Sequence, residues 1–229
     1  MPLENIDTDT FVAFVDISGF KKLMKRGKSA WKAMKYFYQN GYQLIEDQNT
    51  PNIRVEGIFV SDSAVLFIRN NYNGGNRLQE LQIILDYIKE LNKKMIERDY
   101  LLTTSIAFGQ FQYQEGIEFS GIQKGAFLGN AYILAFSDHD NGRPKITPGQ
   151  CRIVCDKLPQ ELDCNFEDCL PGYVVQKRPG DDEHYYYYWN LDSYDDIDSF
   201  ERRYKNASNL IYKGILESLK NGNMEHNSR

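Results

Sequence analysis

Long apolar runs are missing from this 229-residue chain. No stretch approaches about 18 consecutive apolar residues, which excludes a membrane-spanning helix. The polar, acidic N-terminus is unlike a secretory signal, so a cytoplasmic protein without a membrane partner is expected. Cysteine is scarce, and all four (Cys151, Cys155, Cys164 and Cys169) fall late. Their C-x3-C and C-x4-C spacings depart from the C-x2-C pairs of zinc ribbons, and no histidine lies between them. They read as free, mostly buried thiols of a reducing compartment. An excess of positive charge is absent too: 27 Lys and Arg face 32 Asp and Glu, a net charge of −5. That balance argues against a nucleic-acid duplex as partner. The only basic run, Lys21, Lys22, Lys25, Arg26 and Lys28, is either a solvated helix end or a phosphate-facing rim. Arg26-Gly27-Lys28-Ser29 echoes the end of a P-loop, but Lys22 occupies the required first glycine position.

What is present is a core. A 41% hydrophobic fraction with 13 Phe and 16 Tyr can fill a well-packed interior. Phe11–Val15 reads as a buried strand, Ala30–Asp47 as an amphipathic helix, and Ile53–Val60 with Ala64–Ile68 as a hairpin turning at Ser61-Asp62-Ser63. After an Asn- and Gly-rich loop at 70–76, a long helix runs through Leu81, Ile84, Leu85, Ile88, Leu91 and Met95. A strand over Leu102–Phe111 follows, and the spacing predicts a helix over Lys124–Ser137. Strand, helix, hairpin, helix, strand, helix indicates a mixed sheet with helices packed on one side. Beyond Pro148 short strands around 152–155, 173–176 and 185–189 precede a closing helix over Phe200–Lys220. The expected division is therefore a core, 1–148, and a C-terminal β/α extension, 149–229. His139, between Asp138 and Asp140, reads as a loop cap or part of a solvent-facing cluster, since no nucleophile-elbow serine accompanies it.

Two carboxylates stand out. Asp16 closes the first strand ahead of the flexible Ser18-Gly19 turn, and Asp62 sits at the hairpin turn. A charge at the mouth of a core strand is costly to desolvate unless something compensates it. Brought together, two such aspartates hold divalent cations, whose usual client is a nucleoside triphosphate. Taken alone, each is equally a hydrogen-bonded turn aspartate. In the metal reading the Ile17 carbonyl adds a ligand, and the Gly19-Phe20-Lys21 turn offers N–H groups to phosphate oxygens.

The order of these motifs resembles class III nucleotidyl cyclases. Phe14-Val15-Asp16-Ile17-Ser18-Gly19-Phe20 is similar to their first metal motif, and Ser61-Asp62-Ser63-Ala64 stands in the place of the second. Thr104–Gly109 resembles their R-x-G-I-x-x-G strand without its arginine, and Gly129–Ala135 a weakened G-D-x-V-N-x-A helix. The resemblance covers residues 10–147. It implies an α+β, ferredoxin-like class III cyclase fold with a mixed, mostly antiparallel sheet, two Mn2+ or Mg2+ ions per site on Asp16, Ile17 and Asp62, and a homodimer with composite active sites. The purine-reading lysine falls on Ile58, the second base-reading aspartate on Asn130, the ribose-positioning asparagine on Ile133 and the transition-state arginine on Ser137. Both metal carboxylates kept beside an altered base pocket resemble the pyrimidine cyclases of bacterial Pycsar anti-phage systems. That resemblance implies conversion of UTP to cyclic UMP and diphosphate, and a separate effector activated by the product. Cyclic CMP from CTP, or a catalytically silent nucleotide-sensing domain, are the alternatives. Phe59, Ile58 or a nearby tyrosine is expected to fill the space left by a smaller base, and Arg143, of the two nearest downstream cations Arg143 and Lys145, to replace the missing arginine.

Overall fold

The computed structural model describes residues 3–25, 27–48, 52–71, 76–119, 122–162, 164–208 and 212–220. Strand β1 (Ile6–Ile17) alternates strictly: Phe11, Ala13, Val15 and Ile17 face one side, Val12 and Phe14 the other. A short helix α1 (Phe20–Met24) follows Gly19, whose φ of 75° is the left-handed turn that only glycine adopts without strain. Helix α2 (Lys28–Gln48) then packs Ala33, Phe37 and Leu44 on the first side. Strands β2 (Ile53–Val60) and β3 (Ser63–Asn70) form the expected hairpin, with Val60 paired to Ser63. Helix α3 (Arg77–Ile96), capped by the Asn76 side chain, completes the layer over Phe11, Ala13 and Val15.

The next stretch departs from expectation. β4 runs from Leu102 to Phe119 and turns into β5 (Ile122–Leu128), where the sequence predicts a helix from Lys124. Helix α4 starts only at Asn130 and extends to Asn141. Two glycines explain the difference. Gly125 lies against the Tyr113 ring, where an added Cβ would come within 2.1 Å of the hydroxyl. Gly129 holds φ 132° with Gln110 O only 2.2 Å from where a Cβ would sit. A helix through 124–129 would forfeit both close approaches. α4 packs Ala131 and Ala135 on Val12 and Phe14, so it covers the face opposite α2 and α3.

β6 (Cys151–Val154) pairs with β4 in parallel, and β8 (Asp181–Tyr187) and β7 (Val175–Arg178) extend the same sheet. The strand order is β2-β3-β1-β4-β6-β8-β7, with β5 on the far half of β4. All pairings but β4 with β6 are antiparallel. The fold is therefore α+β on a mixed, mostly antiparallel sheet.

The closing helix divides into α6 (Ile197–Ser208) and α7 (Tyr212–Lys220), and Leu210 and Ile211 lie outside the described residues. Of the four thiols, Cys151 and Cys155 are free, but Cys164 and Cys169 form a disulfide. The cause is local: Asn165 caps the single-turn helix α5 (Phe166–Cys169), which carries Cys169 back over Cys164. Among the described residues no helix is long and apolar enough to cross a membrane.

Candidate active site

The β1 terminus and the β2–β3 turn meet because the register demands it. Asp16 pairs with Ser63 on one side and Thr103 on the other, and Ile17 N donates to Asp62 O at 3.0 Å. Ser61, in the turn, adopts φ 57°, and the Tyr38 hydroxyl on α2 is hydrogen-bonded with its backbone. The turn thus presents Asp62 beside the end of β1. Ser63 Oγ donates to Asp16 Oδ1 at 2.8 Å, and Ser61 Oγ to Asp62 Oδ1 at 3.0 Å.

These carboxylates line an open cleft of about 510 Å³, within the range of roughly 300–1,000 Å³ that small-ligand pockets occupy. Ile17, Gly19, Phe20 and Lys21 line it from β1 and α1, His139 from α4, and Lys145 from the loop that follows. Burial raises the Asp16 carboxyl most and the nearby Asp62 charge adds to it. The Ser63 hydrogen bond and Lys21 oppose them, and the pKa settles at about 6. Two carboxylates are thus held where their charges conflict, which a shared cation would relieve. The donors are hard oxygens, the chemistry Mg2+ and Mn2+ prefer. Ser18 Oγ, buried in the cleft wall, has no hydrogen-bond partner, a further oxygen left unused by the fold. The residues present therefore fit a divalent ion. Among the described residues no group of three or more His, Cys, Asp or Glu side chains is arranged to hold a metal ion, so any further ligands come from backbone, water or substrate.

Four expected residues are not brought to this cleft. Phe59 is 8% exposed and packs edge-on or tilted against Phe37, Tyr38 and Tyr42 beneath α2, on the side of the sheet away from the cleft. Strand parity decides this, since β2 residues of odd number face the helical layer. Ile58 faces the α4 side but lies outside the cleft lining, as does Asn130, whose Oδ1 is buried against Gly109 without a partner. Arg143 is exposed in the loop after α4 and does not reach the lining; Lys145, two residues on, does.

His139 was missed. It belongs to α4, not to a loop, and its ring packs on Phe14, with Nε2 at 2.8 Å from Thr103 Oγ1. Burial lowers its pKa against the pull of Asp138 and Asp140, so it is a neutral imidazole near pH 7.

Neither a protein-family model nor a curated protein matches the sequence. Solved structures do resemble the fold. A bacterial light-regulated adenylyl cyclase superposes with a TM-score of 0.57 at 10% identity, covering 86% of this chain and 98% of that one. The non-canonical dimeric guanylyl cyclase domain of the RhoGC fusion protein from the aquatic fungus Blastocladiella emersonii gives 0.55 at 9%, covering 81% and 97%. The catalytic core of a rhodopsin-guanylyl cyclase with converted specificity, in complex with ATPalphaS, gives 0.52 at 12%, covering 80% and 97%. The fold is that of nucleotide cyclase domains. Within that fold, the cleft holding Asp16 and Asp62 lies on the α4 side of the sheet, with the Phe14 and Phe136 rings in its wall.

Proposed function

We propose that this chain is a nucleotidyl cyclase that converts UTP to 3′,5′-cyclic UMP and diphosphate, with 1–148 as its catalytic core and 149–229 as an extension. The observation that carries the reading is the convergence of Asp16 and Asp62, 46 positions apart, on one cleft in a cyclase fold. In the reaction the ribose 3′-oxygen forms a bond to the α-phosphorus and its proton passes to solvent. The bond from that phosphorus to the leaving diphosphate breaks, and diphosphate takes the electron pair. Asp16, Asp62 and the Ile17 carbonyl would hold two Mn2+ or Mg2+ ions, which supply charge neutralisation and activate the attacking hydroxyl. Lys21 and Lys145, both in the cleft lining, bind phosphate oxygens, and the turn at Gly19-Phe20-Lys21 adds backbone donors.

The pyrimidine assignment rests on Ile58 and Asn130, which stand where purine cyclases carry a base-reading lysine and aspartate. Both lie outside the cleft within one chain. A two-fold homodimer answers this by supplying them from the second copy. Exposed Leu128, Ile133 and Phe136, at 55, 58 and 41%, offer an apolar face around α4 for that contact. By the same resemblance, the product is a second messenger of bacterial anti-phage defence that activates a separate effector.

One observation favours a second reading: among the described residues, none of those lining the cleft is an arginine. A catalytically silent domain that senses nucleotide would lack one. Incubation with each of the four ribonucleoside triphosphates and Mn2+ separates the two. Cyclic UMP and diphosphate, lost by at least about a hundredfold in Asp16→Ala and Asp62→Ala, support the enzyme. Cyclic CMP would move the base assignment alone, and bound but intact nucleotide would support the sensor.

A further inference from the structure

The stretch from Ile17 to Ile45 contains Lys21, Lys22, Lys25, Arg26, Lys28, Lys32 and Lys35 and not one acidic residue, in a chain whose net charge is −5. Of the described ones, only Lys21 lines the cleft. α2 buries Ala30, Ala33, Phe37 and Leu44 and turns Lys28, Trp31, Lys32 and Lys35 outward along one helical face. Trp31 is 67% exposed there, and Met24 at the end of α1 is 56% exposed. Two large apolar side chains therefore stand in water inside a field of lysines. Lys28 and Lys32 also sit in the first turns of α2, where the helix dipole disfavours positive charge and no acidic residue offsets it.

We propose that this face docks on the surface of an anionic phospholipid bilayer. Lysines are drawn to lipid phosphates, and tryptophan is the side chain best suited to the headgroup boundary. Charge complementarity selects an anionic partner. The apolar centre selects a lipid surface over a soluble polyanion, and the face is the convex side of a helix, not the groove in which single-stranded nucleic acid is stacked. The proposal is independent of the cyclase reading, and its test needs no turnover.

The chain has two tryptophans, and Trp189 is only 4% exposed, so a change in emission on adding vesicles reports Trp31. The full chain is mixed with vesicles of phosphatidylcholine alone or with added phosphatidylglycerol, and co-sedimentation and fluorescence are followed. Binding with a blue shift is expected only on the anionic vesicles, weakened by salt. It should fall about tenfold or more in the triple variant Lys28→Glu, Lys32→Glu, Lys35→Glu, and Trp31→Ala should weaken it while circular dichroism is unchanged. Equal binding to both vesicle types, no binding to either, or an unaffected triple variant overturns the proposal. So does binding of polyuridylate without a blue shift, which assigns the face to a soluble polyanion. Self-association lost in the triple variant without vesicle binding assigns it to a second copy.

Discussion

Asp16 is held partly buried next to a second carboxylate, and the cost of that placement is measurable. Its pKa of about 6 lies above the usual 3.8, so the folded protein binds the proton more tightly than the unfolded chain does. The group's contribution to stability is therefore greatest below about pH 4, falls as pH rises towards 6, and stays low beyond. In the presence of a chelator, Asp16→Asn should be more stable than the wild type at pH 7.5 by about 1–2 kcal/mol. The difference should vanish near pH 4, as followed by urea denaturation across that window. A less stable variant at pH 7.5 would mean the carboxylate is satisfied by the fold itself. Asp16 and Asp62 stood out in the sequence because each follows a hydrophobic run at a turn, although a hydrogen-bonded turn aspartate would look the same. Phe59 was misplaced because adjacent strand residues face opposite layers and its aromatic ring suits either. Arg143 and Lys145 differ by two residues in a loop, where no periodicity indicates which one turns inward.

At the scale of elements, α4 is fastened from beneath by buried charge. Asp138 accepts hydrogen bonds from Ser105 on β4, Arg152 on β6 and His184 on β8, and Arg152 is wholly buried. This clamp fixes the turn of helix that aims the neighbouring His139 at the cleft. Burial alone would depress the His184 pKa, but hydrogen bonds and charge from Asp138 and Asp181 outweigh it, and the net shift is upward. A raised histidine contributes stability in full below its unfolded value of about 6.5 and loses it as pH climbs through the folded one. His184→Gln should therefore destabilise the protein by about 1–3 kcal/mol below pH 6, with a gap that narrows at higher pH in parallel thermal melts. A gap that widens with pH would contradict the assigned charge. The helices α2 and α3 were legible from their apolar period, and the β2–β3 hairpin from its turn. The β4–β5 ribbon was not. Lys124–Leu128 has no clear period, and what makes it a strand is the approach of Gly125 to Tyr113 and of Gly129 to Gln110 across the pair.

Across the whole molecule, an extended sheet carries the cleft at one end and an uncovered apolar face around α4 beside it. The order of the larger elements from β1 to β4 was legible from pattern alone, and β5 and the short α1 were not. The parallel union of β6 with β4 was not, since it joins residues 47 positions apart, such as Thr104 and Cys151, and leaves no local signature. Nor did four late thiols signal that two of them close a disulfide. If the apolar face seats a second copy, Ile133→Asp should yield a folded monomer by analytical ultracentrifugation, with turnover reduced by at least about tenfold. An intact dimer would place the contact elsewhere. The central claim is that two strand-end carboxylates jointly seat divalent cations, and Mn2+ binding in the presence of a non-cyclisable UTP analogue tests it most directly. By isothermal titration with electron paramagnetic resonance, the wild type should bind two Mn2+ per site, and Asp16→Asn and Asp62→Asn should each lose that binding while keeping the native circular dichroism. Unaltered Mn2+ binding in either folded variant would contradict the claim.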